Sequence, residues 1–264
     1  MDGQAKLLMN FTRDILKNGF LLLAALLAVL LCPFQAKAAT LDWNNVDWTA
    51  GSLSQSFEID SGNPGNDITI TITGNTSRFN TNYPDDNTNL TGGLGSSEQS
   101  LQLYMNKFAN DTEFVTVTIT FNYAAGVDHV NFSIFDIDNG TFVDQIRNIK
   151  GIGFGVTNAV WLTGSSGNTV TSNNTLNASV TGTSSSNDTN STGNAFFNFG
   201  NSKITTVSFD YGSAPGSGTP STVQWVGFHD FRYRSVPEVN PALAALMVCG
   251  LAIGVRAWRR TKAA

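Results

Sequence analysis

The feature that most constrains the fold is a strict two-residue alternation of apolar and polar side chains in separate segments. Residues 68–73 read Ile-Thr-Ile-Thr-Ile-Thr, and valine, isoleucine and phenylalanine alternate with threonine over 115–121. Because successive side chains of a β-strand point to opposite faces, each run has one apolar and one polar face. The same period recurs at 130–134, 204–211 and 223–233. The sequence therefore predicts strands that bury one face.

Further segments rich in β-forming residues fill the intervals between these runs, at 41–49, 54–59, 99–105, 145–154 and 195–199. No convincing 3.6-residue apolar period occurs between residues 39 and 235. About ten to twelve strands separated by Gly, Asn, Pro and Asp turns are typical of antiparallel sheets packed face to face. We therefore expect an all-β fold, a jelly-roll-like antiparallel β-sandwich over residues 39–235.

Two segments are expected to be irregular. Residues 75–95 contain Tyr-Pro-Asp-Asp and Thr-Gly-Gly sequences and are predicted to form a long loop. Residues 163–193 consist almost entirely of Ser, Thr, Asn and Gly. So few apolar side chains cannot bury a core face, and we expect exposed, weakly paired strands or a mobile excursion there.

The N-terminus has the three parts of a secretory signal. Basic residues precede an uninterrupted apolar run at 20–31, and the small-x-small sequence Ala36-Lys37-Ala38 follows. An apolar core of this length is typical of a signal peptide, so residues 1–38 are predicted to be removed by signal peptidase. The alternative is an uncleaved N-terminal anchor.

The C-terminus also has three parts. Val236-Pro237-Glu238 is followed by an apolar run at 242–255, which we expect to form a short transmembrane helix. Fourteen residues span about 21 Å as a helix, whereas a bilayer core is about 30 Å thick. Such a segment is marginal as a permanent anchor and suits a transient one. A basic tail ends the chain and is expected on the cytoplasmic side: Arg256, Arg259, Arg260 and Lys262.

A proline-glutamate motif, a short hydrophobic helix and an Arg-rich tail, in this order, resemble the PEP-CTERM sorting signal of bacteria that possess exosortase. The motif here reads Val236-Pro237-Glu238-Val239, so the usual second proline is missing and the cleaved bond stays open. The resemblance implies export, processing by an exosortase-like membrane enzyme, and release or attachment at the cell surface. An ordinary single-pass tail anchor is the alternative.

The positions of the cysteines and the net charge limit the kind of domain that residues 39–235 can form. The two cysteines, Cys32 and Cys249, lie in the terminal segments, so residues 39–235 contain no disulfide. This region has 17 acidic and 7 basic residues. An acidic surface opposes binding to nucleic acid and fits either extracellular solubility or binding of divalent cations.

The sequence offers little catalytic chemistry, and we expect no enzymatic activity. The two histidines are His129 and His229, and the latter adjoins Asp230. Neighbours along a regular strand point to opposite faces, so His229 and Asp230 are not expected to share a site. No Gly-x-Ser-x-Gly elbow and no His-x-x-x-His pair occurs in the chain. A glycosidase with two carboxylates across a cleft stays open as an alternative.

The best polar constellation is Asp136-Ile137-Asp138-Asn139-Gly140, with Asp144 four residues later. Hard oxygen ligands on such a loop suit Ca²⁺, and Asp230 completes the set if its strand lies beside 130–137. We therefore name Asp136, Asp138, Asp144 and Asp230 as candidate ligands of a structural calcium ion. The alternative is an Asx-type turn with solvent-facing acids.

Aromatic residues supply the last candidate site. Exposed tryptophan or tyrosine on a β-sandwich can stack on sugar rings, although large aromatics more often belong to the core. Trp43 and Trp48 are five positions apart, so in one strand they face opposite ways and one is expected to be exposed. Tyr83, in the Tyr-Pro-Asp-Asp loop, is a comparable candidate. By contrast, Trp225 lies in a period-2 strand and is expected in the core.

Three functions follow from these observations. The leading hypothesis is a noncatalytic cell-surface or extracellular-matrix (biofilm-associated) protein sorted through its C-terminal signal. The alternative is a carbohydrate-binding or adhesive β-sandwich that contacts extracellular polysaccharide and holds a structural calcium ion. A secreted hydrolase is the third.

Overall fold

The structure of the protein, a computed structural model, describes residues 36–63, 65–217 and 222–236. This part of the chain forms strands and one short 3-10 helix at Thr76–Arg78. The strands are β1 (Ala38–Leu41), β2 (Ser54–Phe57), β3 (Ile68–Gly74), β4 (Asp85–Asn87), β5 (Ser100–Met105), β6 (Phe114–Phe121), β7 (Val127–Phe135), β8 (Asp144–Gly153), β9 (Val156–Asn158), β10 (Trp161–Gly164), β11 (Asn168–Thr171), β12 (Ser179–Gly182), β13 (Ala195–Asn198), β14 (Thr206–Ser213) and β15 (Gln224–Ser235).

The strands form two antiparallel sheets. Sheet A has seven strands in the order β10-β13-β7-β15-β5-β4, and β1 also pairs with β15. Sheet B has eight strands in the order β11-β12-β8-β14-β6-β3-β2, and β9 also pairs with β8. Most neighbours in these orders, such as β7 and β15 or β8 and β14, are distant in sequence, whereas β2–β3, β4–β5, β8–β9 and β11–β12 are consecutive pairs.

The core lies between the inner faces of the two sheets. Phe132 of β7 stacks on Phe197 of the neighbouring β13, with ring centroids 4.8 Å apart. The Phe132 ring also packs at 5.9 Å from Phe209, which β14 contributes from sheet B. Phe228 and Phe231 of β15 complete this aromatic centre around Phe132. Burial of these rings removes a large apolar area from water, and this supplies the main driving force for the sandwich.

The prediction of a β-sandwich is confirmed, and most of the predicted strands are present. The long loop at 75–95 carries the 3-10 helix and the short strand β4. The predicted strand at 41–49 is wrong: β1 ends at Leu41, and Asn45 N–H donates to the carbonyl of Asp42 in a turn.

The polar segment 163–193 forms paired strands, one of the two predicted alternatives, but it is less exposed than expected. It contains β11 and β12, and β12 pairs with β8 of sheet B. Val180 of β12 and the adjoining Ala178 supply buried apolar side chains to the core. A few well-placed apolar residues therefore suffice to attach a Ser/Thr/Asn-rich segment to the edge of a sheet.

The described fold extends by a few residues beyond the predicted boundaries of 39 and 235. β1 begins at Ala38, and Ala36–Val236 forms one compact unit. The predicted signal peptide and the C-terminal helix at 242–255 lie almost entirely outside the described residues. None of the helices in the described ranges is long and apolar enough to cross a membrane.

Candidate functional site

The outer face of sheet A carries an exposed pair of aromatic rings near its β10 edge. Leu162 and Phe197 pair across β10 and β13 and both point into the core. Because side chains alternate along a strand, Trp161 and Phe196 project from the opposite face. The Trp161 side chain is 57% exposed and Phe196 is 39% exposed. These two rings form the exposed ring pair.

Small polar side chains adjoin the exposed ring pair. In the antiparallel register, Asn198 lies opposite Trp161 and Thr163 lies opposite Phe196. Ser133 of β7 lies on the other side of Phe196. Directly paired residues share a face, so hydroxyl and amide groups lie beside the rings. Aromatic faces bordered by hydrogen-bonding groups suit a ligand that has both apolar ring faces and hydroxyls.

The strand that carries Trp161 is held at the edge of the sheet by a side chain. The Asn173 side-chain amide accepts a hydrogen bond from the Leu162 N–H at 2.7 Å and donates to the Leu162 carbonyl at 2.9 Å. The amide thus satisfies both backbone groups of Leu162 on the open side of β10. This contact fixes β10 and covers part of an edge that could otherwise pair with another chain.

The loop of residues 88–99 between β4 and β5, here called the covering loop, lies over the middle of the same outer face. Leu90 is fully buried, and Phe135 of β7 is buried although it points away from the core. Gly92 lies on the Phe135 ring, since a Cβ atom at this glycine would come within 2.5 Å of the ring carbons. Gly92 also has φ of +58°, a conformation that other residues adopt only at a cost. The loop therefore makes a second, smaller apolar layer outside sheet A.

A cluster of packed aromatic rings lies on the same outer face, on strands β5 and β15. The Tyr104 and Trp225 rings lie 4.7 Å apart, and the Tyr83 ring meets Tyr104 edge-on at 5.0 Å. All three side chains are partly buried. Trp225 belongs to the outer face and not to the core, so its predicted placement is wrong. Tyr83 stays a candidate for ligand contact, although its ring packs against its neighbours.

Neither Trp43 nor Trp48 is available to a ligand. Both side chains are buried in the core, where the Trp43 ring contacts Trp48, Phe57 and Phe228. The prediction that one of these tryptophans is exposed is wrong because residues 42–49 do not form a strand. A chain that turns can bring two residues of any spacing to the same side.

His229 joins two carboxylates on the outer side of sheet A. Its Nε2 lies 2.7 Å from Glu98 Oε1 and 3.8 Å from Asp230 Oδ1. A β-bulge between Phe228 and Phe231 breaks the alternation, so His229 and Asp230 approach each other. The expectation that these neighbours cannot share a site is therefore wrong. The Glu98 contact fastens the covering loop to β15.

Glu98, His229 and Asp230 are close enough in principle to share a metal ion. Their ligand atoms lie within 4.8 Å of one another, and no other trio in the described ranges meets this condition. Hydrogen bonds already engage all three groups, because His229 Nε2 bonds to Glu98 Oε1 and Asp230 Oδ1 accepts from the Trp43 N–H at 3.1 Å. Burial raises the pKa of Asp230, and the neighbouring His229 opposes this rise.

The other predicted calcium ligands lie where the chain crosses from sheet A to sheet B. Asp136 and Asp138 follow β7, and Asp144 begins β8. The Asp144 N–H donates to the Asp138 carbonyl at 2.9 Å, which closes the loop between them. Asp230 does engage β7 through its strand, as anticipated, but its carboxylate interacts with His229 and Trp43. Asp136 and Asp138 therefore lie near enough to Asp144 to act on it electrostatically, but the oxygens of these three carboxylates do not all come within 4.8 Å of one another, and Asp230 belongs to a separate group.

These three carboxylates strongly disfavour their own charged forms. Burial, reinforced by Asp138 and Asp188, raises the pKa of Asp136 to about 7. Burial also raises the pKa of Asp138, and it raises that of the fully buried Asp144 well above its ordinary range. Two buried oxygens, Asp136 Oδ1 and Asp144 Oδ2, have no hydrogen-bond partner. Such groups are costly in their charged form, and the raised pKa values mean that the protonated, neutral form is favoured.

Sequence reasoning missed the exposed ring pair. Trp161 and Phe196 lie beside long Ser/Thr/Asn-rich stretches, where no alternating run marks a strand face. The sequence contained one relevant signal. Trp161, Phe196 and Phe197 flank the polar stretch 163–193, which has too few apolar side chains to cover all three rings. The pairing of β10 with β13, which decides which rings point outward, joins residues more than thirty positions apart.

Comparisons with known proteins return only distant structural likenesses. No protein-family model and no curated protein matches the chain. A carbohydrate-binding module, TmCBM61 in complex with beta-1,4-galactotriose, is 14% identical with a TM-score of 0.29, over 62% of this chain and 86% of that one. The CBM32-1 and CBM32-2 domains from Clostridium perfringens ZmpB are 11% identical with a TM-score of 0.27, over 79% of this chain and 44% of that structure. At these scores neither likeness decides the fold or the function.

Proposed function

We propose that this protein is a noncatalytic polysaccharide-binding protein that is exported and sorted to the cell surface or extracellular matrix. The observation that carries the binding role is the exposed ring pair, Trp161 and Phe196, on one face of sheet A. Burying such rings on folding would be favourable, so their exposure on an ordered sheet calls for a ligand that covers them. A sugar ring has an apolar face that can stack on each aromatic ring.

The spacing of the two rings fits a polymer better than a single sugar. Trp161 and Phe196 are diagonal neighbours across β10 and β13, since Trp161 lies opposite Asn198. Diagonal side chains on paired strands are about 7–8 Å apart at their Cβ atoms. Two rings at this separation contact different sugar units of one chain. The excess of acidic residues in the domain disfavours an anionic polymer, so the proposed ligand is a neutral polysaccharide.

Affinity electrophoresis of the protein in gels that contain single neutral polysaccharides tests the binding role. The Trp161→Ala variant removes the more exposed ring, and we expect about a tenfold loss of affinity, equivalent to about 1.4 kcal/mol. The matched control is Phe154→Ala, which removes another exposed aromatic ring from the turn between β8 and β9. Retardation that Trp161→Ala leaves unchanged, or that Phe154→Ala reduces equally, contradicts the proposal.

The route to the surface is proposed from the two terminal sequences. Signal peptidase is the proposed partner at the N-terminus, and an exosortase-like enzyme is the proposed partner at Val236-Pro237-Glu238. The apolar run at 242–255 would hold the protein in the membrane only until this processing. The jelly-roll-like strand order and the flanking helices, like this route, are part of the proposal.

Mass spectrometry of the protein from its native host tests the sorting proposal separately from the binding proposal. We expect surface copies that lack the apolar run and the basic tail. Surface copies that all retain the C-terminus through Ala264 would contradict processing. Chain-length analysis of each polysaccharide after incubation checks the noncatalytic assignment, since shortening of the polymer would identify a hydrolase.

A further inference from the structure

The hairpin between β8 and β9 carries exposed apolar side chains at its end. Phe154 and Val156 are 61% and 58% exposed, and Ile152 beside them is 38% exposed. These three side chains are here called the apolar tip. Folded domains seldom leave large apolar side chains uncovered in a group, and such a group marks a surface that meets another molecule or a membrane.

The requirements of the hairpin do not explain a phenylalanine at position 154. Gly153 pairs with Val156, so Phe154 and Gly155 are the two central residues of a tight turn. Both have positive φ, +51° for Phe154 and +80° for Gly155. Such turns favour asparagine or aspartate at the first central position, because bulky side chains adopt positive φ only at a cost. Phe154 is thus unfavourable for the turn and exposed to water, which indicates a role outside folding.

The chain leaves the domain beside the apolar tip. A Cβ atom at Gly126 would lie 3.2 Å from the Phe154 ring, so this ring packs against the Gly126 backbone. The Gly126 carbonyl accepts a hydrogen bond from the Val236 N–H at 3.1 Å. The Ser235 N–H donates to the Lys37 carbonyl at 3.0 Å. Both ends of the described chain therefore lie at the end of the sandwich that carries the apolar tip.

The sequence after Val236 limits how far this end of the domain can be from the membrane. The apolar run at 242–255 begins six residues after Val236, and six residues span at most about 20 Å. In the proposed transient anchoring, on which this inference rests, the run lies in the bilayer. The headgroup layer on each side of a bilayer is about 5–8 Å thick. The apolar tip is therefore tethered within reach of the headgroups.

The charges near the apolar tip are compatible with a lipid surface, although the domain as a whole is acidic. Two acids at this end, Asp128 and Asp60, are both paired with basic side chains. Lys203 is exposed, and its carbonyl packs so closely on the hairpin that it leaves no room for a Cβ atom at Gly153. An ammonium group at a membrane surface attracts anionic headgroups. Lys203 thus places a positive charge beside the apolar tip.

We infer that the apolar tip inserts into a phospholipid bilayer while the C-terminal apolar run anchors the chain. Phe154 and Val156 would enter the boundary between headgroups and acyl chains. Insertion of so few side chains binds weakly alone, but the anchor raises their effective concentration at the surface. Removal of the anchor would therefore release the domain. Until then, the tip fixes which end of the sandwich faces the membrane.

Fluorescence of the full chain in vesicles of phosphatidylcholine and phosphatidylglycerol tests the inference. Replacement of Cys32 and Cys249 by serine allows a single environment-sensitive probe to be attached to the Val156→Cys variant. Lipids brominated at two depths then locate the probe. We expect quenching that places it about 5–10 Å into the boundary between headgroups and acyl chains.

The matched control carries the same probe on the Leu94→Cys variant, in the covering loop. Leu94 is 61% exposed, as Phe154 is. Gly92 of the same loop packs on Phe135, which ends β7 about 26 Å along the strand from Val127. The control probe therefore lies far from the apolar tip, and brominated lipids should not quench it.

Phe154→Asn, made in the chain that carries the Val156 probe, separates membrane contact from a role in folding. Asparagine suits the turn, so this variant should melt at or above the temperature of its parent. It should also lose most of the quenching by brominated lipids. Unchanged quenching would overturn the inference. A lower melting temperature would also overturn it, since Phe154 would then serve the fold.

Failure of the inference and failure of the proposed anchoring give different results in a flotation assay. A chain that floats with vesicles while its two probes respond alike overturns insertion of the apolar tip and leaves the anchoring intact. A chain that does not float overturns both. Burial of the Val156 probe that is independent of lipid and grows with protein concentration would identify a second copy of the chain as the partner, and the inference would be wrong.

Discussion

The outer faces of the two sheets differ although their inner faces share one core. The outer face of sheet B carries many hydroxyl side chains. Thr118 of β6, for example, lies between Thr71 of β3 and Ser208 of β14. The outer face of sheet A is partly apolar and carries a covering loop, the packed aromatic cluster and the exposed ring pair. Phe135 is as deeply buried on that face as residues of the core. Sheet B therefore contributes to the fold mainly through its inner face, whereas the outer face of sheet A carries the candidate ligand site.

This difference explains which strands the sequence reveals. β3 and β6 alternate strictly because one of their faces meets the core and the other meets water. In β7 and β15 the alternation is weaker because apolar residues such as Phe135 also occupy the outer face. A loop that covers a sheet removes the polar signal from the strands below it. Weak alternation in an otherwise clear β-sequence thus indicates a covered face.

Among the substitutions that test this difference between the outer faces, Phe135→Ala is expected to lower the free energy of unfolding most. Phe135→Ala removes a ring that is 2% exposed and packed under Gly92. We expect a loss of about 3 kcal/mol in the free energy of unfolding, as for a core phenylalanine, because the covering loop cannot fill the cavity. Chemical denaturation with guanidinium chloride measures the loss.

Thr118→Ala is the matched control on the outer face of sheet B. It removes a half-buried β-branched side chain from a central strand, so its cost should stay below about 1 kcal/mol. Equal losses for Phe135→Ala and Thr118→Ala would break the comparison, since the two outer faces would then be energetically alike.

The sandwich and most of its strands were predictable from local alternation, whereas the candidate site was not. Asp136, Asp138 and Asp144 could be predicted as a group because they lie within nine consecutive residues, but the sequence could not show that their carboxylate oxygens do not all come within 4.8 Å of one another. Alternation placed His229 and Asp230 apart because the bulge that joins them depends on the pairing of β15 with β7. Burial of Trp43 likewise depends on where β1 ends. Register, bulges and loop paths arise from contacts between distant segments, and local patterns do not contain them.

An ion pair across β7 and β15 gives an intermediate effect. Arg234 donates two hydrogen bonds to the Asp128 carboxylate, from Nε at 2.7 Å and from Nη2 at 2.9 Å. These bonds lower the pKa of Asp128, against a smaller opposing effect of burial. Asp128→Asn should therefore cost about 1 kcal/mol at pH 7.

The pH dependence of that loss follows from the lowered pKa. An acid whose pKa is lower in the folded state stabilises the protein at pH values above its unfolded pKa of 3.8. This stabilisation disappears as pH falls from about 4 through the folded pKa, where the carboxylate becomes protonated in both states. Urea denaturation at pH 7 and pH 3 should show the difference between Asp128→Asn and the unmodified protein shrinking at the lower pH. A difference that is constant with pH would assign the effect to packing.

Trp161→Ala is expected to have the smallest effect, and its contrast with Trp225→Ala, also on the outer face of sheet A, is the most diagnostic. Trp161 is 57% exposed, whereas Trp225 packs against Tyr104 and Tyr83. We expect Trp161→Ala to change the free energy of unfolding by less than about 0.5 kcal/mol, and Trp225→Ala to cost about 2 kcal/mol. Thermal and chemical unfolding of both variants measures this contrast.

A large loss for Trp161→Ala would mean that the ring stabilises the edge of sheet A, and its exposure would then need no ligand. A near-zero loss removes that explanation. A large aromatic ring that contributes nothing to folding has no structural reason to project from an ordered strand, whereas polysaccharide binding supplies one. Stability and binding measured on the same variant therefore separate the two roles. A large difference in the unfolding free energy lost by Trp161→Ala and by Trp225→Ala would assign Trp225 to folding and leave Trp161 to ligand binding.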